Sequence, residues 1–357
     1  MPLRIGVIGG WALGDSEHGR LTALCDINPA VRESVRQRRP DVAVYEDYHH
    51  LAADDNVDLV YIVTPNWVHA AQAIACLQGG KHVFLEKPMT VTRNEAGPLL
   101  EAERKSGKTL TVDFELRYSI ATGQRVPEII RSGEIGRLIG VNIEHYRGAW
   151  TEEGNGIWRS KPEKSGGLFF MEVCHNVDYL RFLLGEVVEA QSFKMQNTLT
   201  HYRIPDNVQT HLLFESGVVG SINSSHTRSA NSQNTYDDWE KVGHHDQISI
   251  FGTEGCLILD VWKRRITVLK HEEHPRGTGA KRIKFVRCED YSEVSMGELS
   301  HDMTGYLRDF MRRMGTGKPP LQTAEDAWRT HAVCLACEES ALGKGFPRLK
   351  VDYAPLR

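Results

Sequence analysis

The sequence predicts an α/β protein with an N-terminal Rossmann-like parallel sheet and a C-terminal α+β domain built on a large, mostly antiparallel open sheet. Up to about residue 118, near-continuous apolar runs alternate with helical segments, which is typical of strands covered on both faces. Later in the chain, short apolar runs are joined by polar turns, which is typical of an antiparallel or mixed sheet. Because 357 residues exceed one ordinary domain, we expect two domains, 1–119 and 120–357.

The N-terminal domain contains five predicted strands and three predicted helices. The strands are Leu3–Ile8, Leu21–Cys25, Leu59–Val63, His82–Leu85 and Thr109–Val112. The helices are Ala30–Arg38, Ala70–Gln78 and Arg93–Lys105. Parallel sheets of this kind bind their ligands at the carboxyl ends of the strands. Functional residues are therefore expected directly after each strand.

The C-terminal domain combines four predicted helices with eight predicted strands. The helices are Gln124–Arg131, Leu168–Leu184, Gly297–Met314 and Thr323–Leu342. The strands are Ile139–Arg147, Val187–Gln196, Val208–Phe214, Gly217–His226, Gln247–Phe251, Cys256–Asp260, Arg265–His271 and Arg282–Arg287, with a long polar loop over Ser229–His245. An open sheet face is seldom left exposed, so we expect a homodimer or homotetramer.

Composition narrows the class of partner. The 43 Lys and Arg against 47 Asp and Glu give a net charge of −4, without the basic field that favours nucleic acid. No membrane span is expected, since no long apolar run occurs, and the glycine-rich start does not resemble a signal peptide. Seven scattered cysteines, an odd number, indicate free thiols. We therefore expect a cytoplasmic protein that acts on a small molecule.

A glycine turn after the first strand indicates a dinucleotide site. Trp11 stands at the middle position of the glycine fingerprint, where glycine normally lets the backbone approach the pyrophosphate. The short connection to the second strand leaves room for at most one or two helical turns. Asp26, after the second strand, is placed to hold a ribose hydroxyl and favours NAD over NADP. The candidate cofactor residues of the turn, which could also simply reverse the chain, are Gly9, Gly10, Trp11, Ala12 and Gly14.

Two further strand ends are predicted to point into the same crevice. The fourth strand ends at Glu86, Lys87 and a proline. A lysine fixed at a strand end beside a carboxylate can donate a proton or tune a neighbouring group. The alternative is a solvated lysine next to a turn. The third strand adds the candidate cofactor residues Thr64, Pro65, Asn66 and His69.

A pair of glycines precedes the most informative helix of the second half. Glu172, His175 and Asp178 recur there at three-residue spacing, roughly on one helical face. Such side chains are costly to bury in an apolar helix unless they are paired or face a cleft. Two interpretations stay open, a catalytic histidine or a core histidine with a carboxylate partner.

In their order along the chain, these signals resemble the Gfo/Idh/MocA family of sugar and cyclitol dehydrogenases, over essentially the whole chain. The resemblance implies NAD bound by the strand-end residues, and a reacting carbinol flanked by Lys87 and His175 beside the nicotinamide. Many members have an aspartate four residues before the histidine, where this chain has Met171. The residues that carry the resemblance are the glycine turn, Asp26, Thr64, Pro65, His69, Glu86, Lys87, Pro88, His175 and Asp178.

The chemistry implied by this resemblance assigns a role to each residue. His175 is the base that takes the hydroxyl proton as hydride leaves carbon. Lys87 lowers the pKa of His175 and stabilises the developing alkoxide, and Glu172 orients the imidazole. Planar donors and flat rings suit sugar recognition. The candidates, each of which could instead be an ordinary core or surface residue, are Arg117, Tyr118, His145, Tyr146, Arg147, Trp150, Trp158 and Arg159.

Three functions remain open at this point. The first is an NAD-dependent oxidoreductase that transfers hydride at a secondary alcohol or ketone of a sugar, glycoside or cyclitol, without a metal. The second, motivated by Trp11 and the short connection after it, is a cofactor-independent or metal-assisted lyase, hydratase or epimerase that uses Lys87, Glu172 and His175. The third is a non-catalytic sugar-binding relative, which the presence of both Lys87 and His175 disfavours.

Overall fold

The computed structural model describes residues 2–10, 15–148, 158–229, 245–277 and 279–355. Its two sheets confirm the predicted fold class, with six parallel strands in one and nine mostly antiparallel strands in the other. The predicted polar loop falls almost entirely outside the described residues. So do four candidate site residues, Trp11, Ala12, Gly14 and Trp150.

The first sheet has the strand order β3-β2-β1-β4-β5-β6, and every pair in it is parallel. Its strands are β1 (Leu3–Ile8), β2 (Gly19–Cys25), β3 (Ala43–Tyr45), β4 (Leu59–Ile62), β5 (His82–Leu85) and β6 (Leu110–Val112). The helices along this half are α1 (Pro29–Arg38), α2 (Tyr48–Ala52), α3 (His69–Gln78) and α4 (Arg93–Ser106). Strand β3 and helix α2 were not predicted, because each is too short to carry a periodic signal.

The second sheet has the order β14-β13-β12-β11-β7-β10-β9-β8-β15, with a single parallel pair, β7–β10, near its centre. Its strands are β7 (Leu138–Gly148), β8 (Val187–Lys194), β9 (Asn207–Phe214), β10 (Val219–Ser229), β11 (His245–Gly252), β12 (Gly255–Asp260), β13 (Arg265–Glu273), β14 (Lys281–Asp290) and β15 (Leu349–Lys350). The helices are α5 (Val126–Arg131), α6 (Pro162–Ser165), α7 (Cys174–Leu184), α8 (Met296–Ser300), α9 (Met303–Gly315) and α10 (Ala324–Leu342). In the described part of the chain, no helix has the length and apolar character needed to cross a bilayer.

Two of the predicted long helices are interrupted. The helix expected over 168–184 opens with a wide π-helical turn at Phe169–Val173 before α7 begins. The helix expected over 297–314 breaks at His301 and Asp302, and the Asp302 side chain accepts a hydrogen bond from the Gly305 amide to cap α9. Both interruptions lie beside the cavity described below, and π turns are frequent at functional sites.

Helix α9 covers one face of the parallel sheet. The connection from β1 to β2 is short, and its described residues, 9–10 and 15–18, form no helix. A second apolar core lies on this face of the sheet, where Ile5 and Phe84 pack with Phe310 of α9. The rings of Phe84 and Phe310 are 5.6 Å apart. The two sheets are separate, but the apolar core on this face of the parallel sheet contains residues from both halves of the chain.

Candidate active site

The turn after β1 forms a cradle that fits a dinucleotide. Gly9 and Gly10 adopt φ values of +114° and +74°, which side chains rarely tolerate. A Cβ atom on Gly9 would lie 2.5 Å from the carbonyl oxygen of Val63, and one on Gly10 would lie 2.5 Å from Oδ2 of Asp26. Asp26 is thus held against the turn, at the end of β2, where a ribose hydroxyl of NAD would reach it.

Three predicted cofactor residues use their side chains to hold the neighbouring loops together. His69 is fully buried, with Nδ1 2.8 Å from the carbonyl oxygen of Pro88 and Nε2 2.7 Å from that of Thr64. Asn66 is also buried and donates to the carbonyl oxygen of Ser165. These side chains hold the loops that follow β4 and β5 in position. Thr64 Oγ1 donates to Gln72, which fixes the same loop.

A cavity of about 640 Å³ opens where the parallel sheet meets the second sheet. It brings together six predicted site residues, Glu86, Lys87, His145, Arg147, Glu172 and His175. It also contains ionisable side chains that the sequence patterns did not indicate, among them Asp113, Glu115, Asp246 and His301.

Lys87 enters the cavity from the end of β5. Its Nζ donates to the carbonyl oxygen of Met171, which the π-helical turn presents toward it, at 2.5 Å. Burial works against the charged form, but Cys174 and the carboxylates of Glu172 and Glu86 more than offset burial and raise the pKa of Lys87. The side chain is therefore an ammonium at neutral pH.

His175, on the first turn of α7, lines the same cavity as the Lys87 ammonium but is itself neutral. Its Nδ1 lies 3.4 Å from Oε2 of Glu115, and the ring packs edge-on against Phe114. Burial, with help from the charge of Lys87, lowers the pKa of His175 to about 3 although Glu115 acts in the opposite direction. The imidazole is therefore uncharged at neutral pH and can accept a proton.

Glu115, which the sequence analysis missed, takes the orienting position that was predicted for Glu172. It is buried after β6, and its second oxygen lies 2.5 Å from Nδ1 of His301. The charge of Glu115 raises the pKa of His301, so the pair is ionic. No spacing pattern links residues 115, 175 and 301, since the break between α8 and α9 brings His301 to the site.

Glu172 faces the second sheet, not His175. Its Oε2 lies 3.6 Å from Nε2 of His145, whose Nδ1 lies 2.8 Å from Oδ1 of Asp246. Arg147 lies 3.2 Å from the other oxygen of Asp246. Burial opposes the charged forms of His145 and Glu172. Even so, Asp246 raises the pKa of His145. His145 and Lys87 together keep the pKa of Glu172 well below its usual range. His145 and His175 therefore favour opposite protonation states in one cavity.

Two of the sugar-contact candidates among the described residues, His145 and Arg147, line the cavity. Arg117 is buried instead in ion pairs with Asp178 and Asp326, at 2.6 and 2.5 Å. Asp178 is fully buried and also accepts from Gln322 and Thr330, so these residues support the fold. The other described candidates contact aromatic rings elsewhere, namely Tyr118 on Tyr306, Tyr146 on His245, Trp158 on Trp67, and Arg159 on Trp158.

Metal ligands are not grouped in this site. Among the residues that the structure describes, no three His, Cys, Asp or Glu side chains are arranged to hold a metal ion. The cavity is instead lined by several carboxylates and histidines together with one lysine. Such an arrangement is suited to moving protons.

Comparison with known proteins places this geometry in a family. Residues 3–114 match the family described as "Oxidoreductase family, NAD-binding Rossmann fold" of GFO/IDH/MocA, and residues 124–258 match the GFO/IDH/MocA C-terminal domain. Myo-inositol 2-dehydrogenase of Thermotoga maritima is 26% identical, over 91% of this chain and 92% of that protein. The scyllo-inositol 2-dehydrogenase (NAD(+)) of Bacillus subtilis is 27% identical, over 83% of this chain and 78% of that protein.

Solved structures agree with this fold. Levoglucosan dehydrogenase in complex with NADH and levoglucosan superposes with a TM-score of 0.79, at 19% identity, over 98% of this chain and all of that one. A putative NADPH-dependent oxidoreductase from Desulfitobacterium hafniense also gives a TM-score of 0.79, at 22% identity and 98% coverage of both chains. The chain belongs to the GFO/IDH/MocA oxidoreductase family, and its residues 3–114 form an NAD-binding Rossmann domain.

Proposed function

We propose that the protein is an NAD-dependent oxidoreductase that transfers hydride at a secondary alcohol or ketone of a sugar, glycoside or cyclitol. One observation carries the proposal: an ammonium, Lys87, and a neutral imidazole, His175, line one cavity at the strand ends of an NAD-binding sheet. The named relatives act on inositols, which supports a ring bearing several hydroxyl groups as the substrate.

The cavity supplies the two proton-handling groups that the reaction needs. NAD, when bound, supplies the hydride acceptor. Glu115 lies against Nδ1 of His175, which leaves Nε2 to take the hydroxyl proton from the substrate. The Lys87 ammonium stabilises the alkoxide that develops as this proton leaves. In the reductive direction, the same proton returns to the oxygen.

The cofactor-independent alternative is not favoured, because the family comparison assigns NAD binding to residues 3–114.

The test is a substrate panel with a matched pair of variants. Purified protein is incubated with NAD and myo-inositol, levoglucosan or methyl glucosides, and NADH formation is followed by absorbance. His175→Asn is expected to lower kcat by about 10²-fold or more, the usual contribution of a positioned base. His211→Asn, on β9 of the second sheet and outside the cavity, is the control. Failure of millimolar NAD or NADH to bind in an equilibrium titration would contradict the proposal.

A further inference from the structure

The mechanism above leaves part of the cavity unused. Glu172, His145 and Asp246 line the same space as Lys87 and His175, yet hydride transfer at one carbinol needs only one base. Burying three ionisable groups carries a free-energy cost. Their presence together in one cavity therefore indicates a functional role.

The geometry of these three groups is that of an oriented acid. His145 is 7% exposed and stands on β7, one strand away from Asp246 on β11, directly opposite it in the ladder. Asp246 lies against Nδ1, which directs Nε2 toward Glu172 at 3.6 Å. Nε2 of His145 is buried without a hydrogen-bond partner among the described residues and faces the Glu172 carboxylate, and both residues line the cavity.

Charge separates this unit from His175. Asp246 favours the imidazolium form of His145, while His145 and Lys87 favour the carboxylate form of Glu172. A protonated His145 therefore lies beside a deprotonated Glu172. Sites in which the environment pushes two titratable groups apart in this way commonly use one as an acid and the other as a base.

We propose that Glu172 and His145 form a second proton-transfer pair, which gives the cavity a second activity: enolisation of the keto sugar, with exchange of the proton on the carbon next to the carbonyl. The inference rests on the proposed function, since the ketone is the product of hydride transfer. The ligand class is a cyclic α-hydroxy ketone.

The step balances without another reactant. Glu172 takes the proton from the neighbouring carbon, and the electron pair of that C–H bond forms the C=C bond of an enediolate. The carbonyl π electrons move to oxygen, where the Lys87 ammonium stabilises the negative charge. His145 then delivers a solvent-exchanged proton to the same carbon and the carbonyl reforms. The proton on Glu172 passes to the now neutral His145, which restores the pair.

The short separation of the two groups also sets the stereochemistry. Because Oε2 of Glu172 and Nε2 of His145 are 3.6 Å apart, both reach the substrate from the same side. Removal and return therefore occur on one face of the carbon. Exchange with retention of configuration is expected, and no epimer should accumulate.

The experiment measures exchange and hydride transfer in parallel. Enzyme with NAD is incubated in D₂O with 1,5-anhydro-D-fructose or with the 2-keto derivative of myo-inositol, and the loss of the α-proton resonance is followed by NMR. A parallel sample with NADH gives the rate of ketone reduction. An enzyme-free sample corrects for spontaneous enolisation. Exchange well above the enzyme-free rate, without an epimer, is the expected result.

Variants distinguish the second pair from the first. Glu172→Gln and His145→Gln should lower exchange by about 10²-fold or more and lower the ratio of exchange to reduction. His175→Gln should shift that ratio in the opposite direction. The control is His211→Gln, and thermal melting confirms that each variant folds.

Each outcome bears on one proposal or both. NADH consumption with exchange no faster than in enzyme-free buffer, or with a ratio that no variant changes, would overturn the second activity. Exchange without NADH consumption would support it and contradict hydride transfer. Absence of both with both ketones would contradict both proposals.

Discussion

Glu115 is the residue whose position most changes the interpretation of the site. It contacts His175 and His301 at once and is almost fully buried. Replacing it by glutamine keeps the side-chain shape but removes the charge that orients both rings. We expect Glu115→Gln to lower kcat for hydride transfer by about 10²-fold with little change in KM, because its role is to position the base. Steady-state kinetics test this.

A surface variant provides the comparison for Glu115. Glu128→Gln removes an exposed carboxylate that pairs with Arg125 and does not line the cavity. It should leave kcat unchanged. Equal losses in the two variants would show that Glu115 acts through general stability and not through His175.

Glu338 makes the stability of the protein depend on pH. Burial raises the pKa of this carboxyl group to about 7, although the amide of Phe169 and the charge of Lys194 oppose the shift. Since the folded state binds the proton more tightly than the unfolded chain, the stabilisation is complete below the unfolded pKa and is lost as pH rises through 7. Glu338→Gln should remove this slope and raise stability at pH 8 by roughly 1–3 kcal/mol.

Denaturant titrations at acidic and alkaline pH measure this effect. The variant and the wild type should unfold at similar denaturant concentrations near pH 4, where both side chains are neutral. Glu339→Gln, one residue along α10 and exposed, is the matched control. An equal pH dependence in wild type and Glu338→Gln would contradict the assignment.

Sequence patterns identify residues at the site only when they lie in a recognisable spacing. Lys87 and His175 belong to motifs, and the structure brings both to one cavity. His301 sits where helical periodicity continues unbroken in the sequence, so nothing local signals that the backbone turns there. Glu172 was identified but paired with the wrong histidine, because its partner depends on the π-helical turn. The catalytic roles of Lys87 and His175 stay predictions.

At the scale of elements, α9 stabilises a sheet that is distant from it in sequence. Phe310 is 1% exposed and packs on Phe84 between Tyr306 and Met311. We expect Phe310→Ala to cost about 3–5 kcal/mol, the usual range for a large buried ring. Guanidinium unfolding followed by fluorescence measures the loss. Leu342→Ala, at a side chain that is 53% exposed, should cost far less.

The elements themselves were largely predictable. Strands such as Leu3–Ile8 and His82–Leu85 coincide with the predicted bounds, since each is a compact apolar run. Helix breaks and the three-residue β3 were missed, because both are decided by tertiary packing and not by local periodicity. The packing of α9 on the first sheet also has no local signature.

At the scale of the molecule, the outer face of the second sheet is the candidate interface between subunits. Two apolar side chains are exposed on the strands that flank Gly140, namely Val219 at 46% and Phe251 at 36%, and both pair with Gly140 and so share its face of the sheet. Such patches commonly mark association surfaces. We expect a homodimer or homotetramer by light scattering, and dissociation in the double variant Val219→Lys and Phe251→Glu. A monomeric wild type at micromolar concentration would contradict this.

The boundary predicted near residue 119 separates two sheets, but the covering of the first sheet comes from almost the end of the chain. Ile5, Tyr61 and Phe84 are sealed by Tyr306 and Phe310. A fragment of residues 1–119 alone would therefore leave this apolar face of the parallel sheet in contact with water, and exposed apolar patches of this kind promote aggregation.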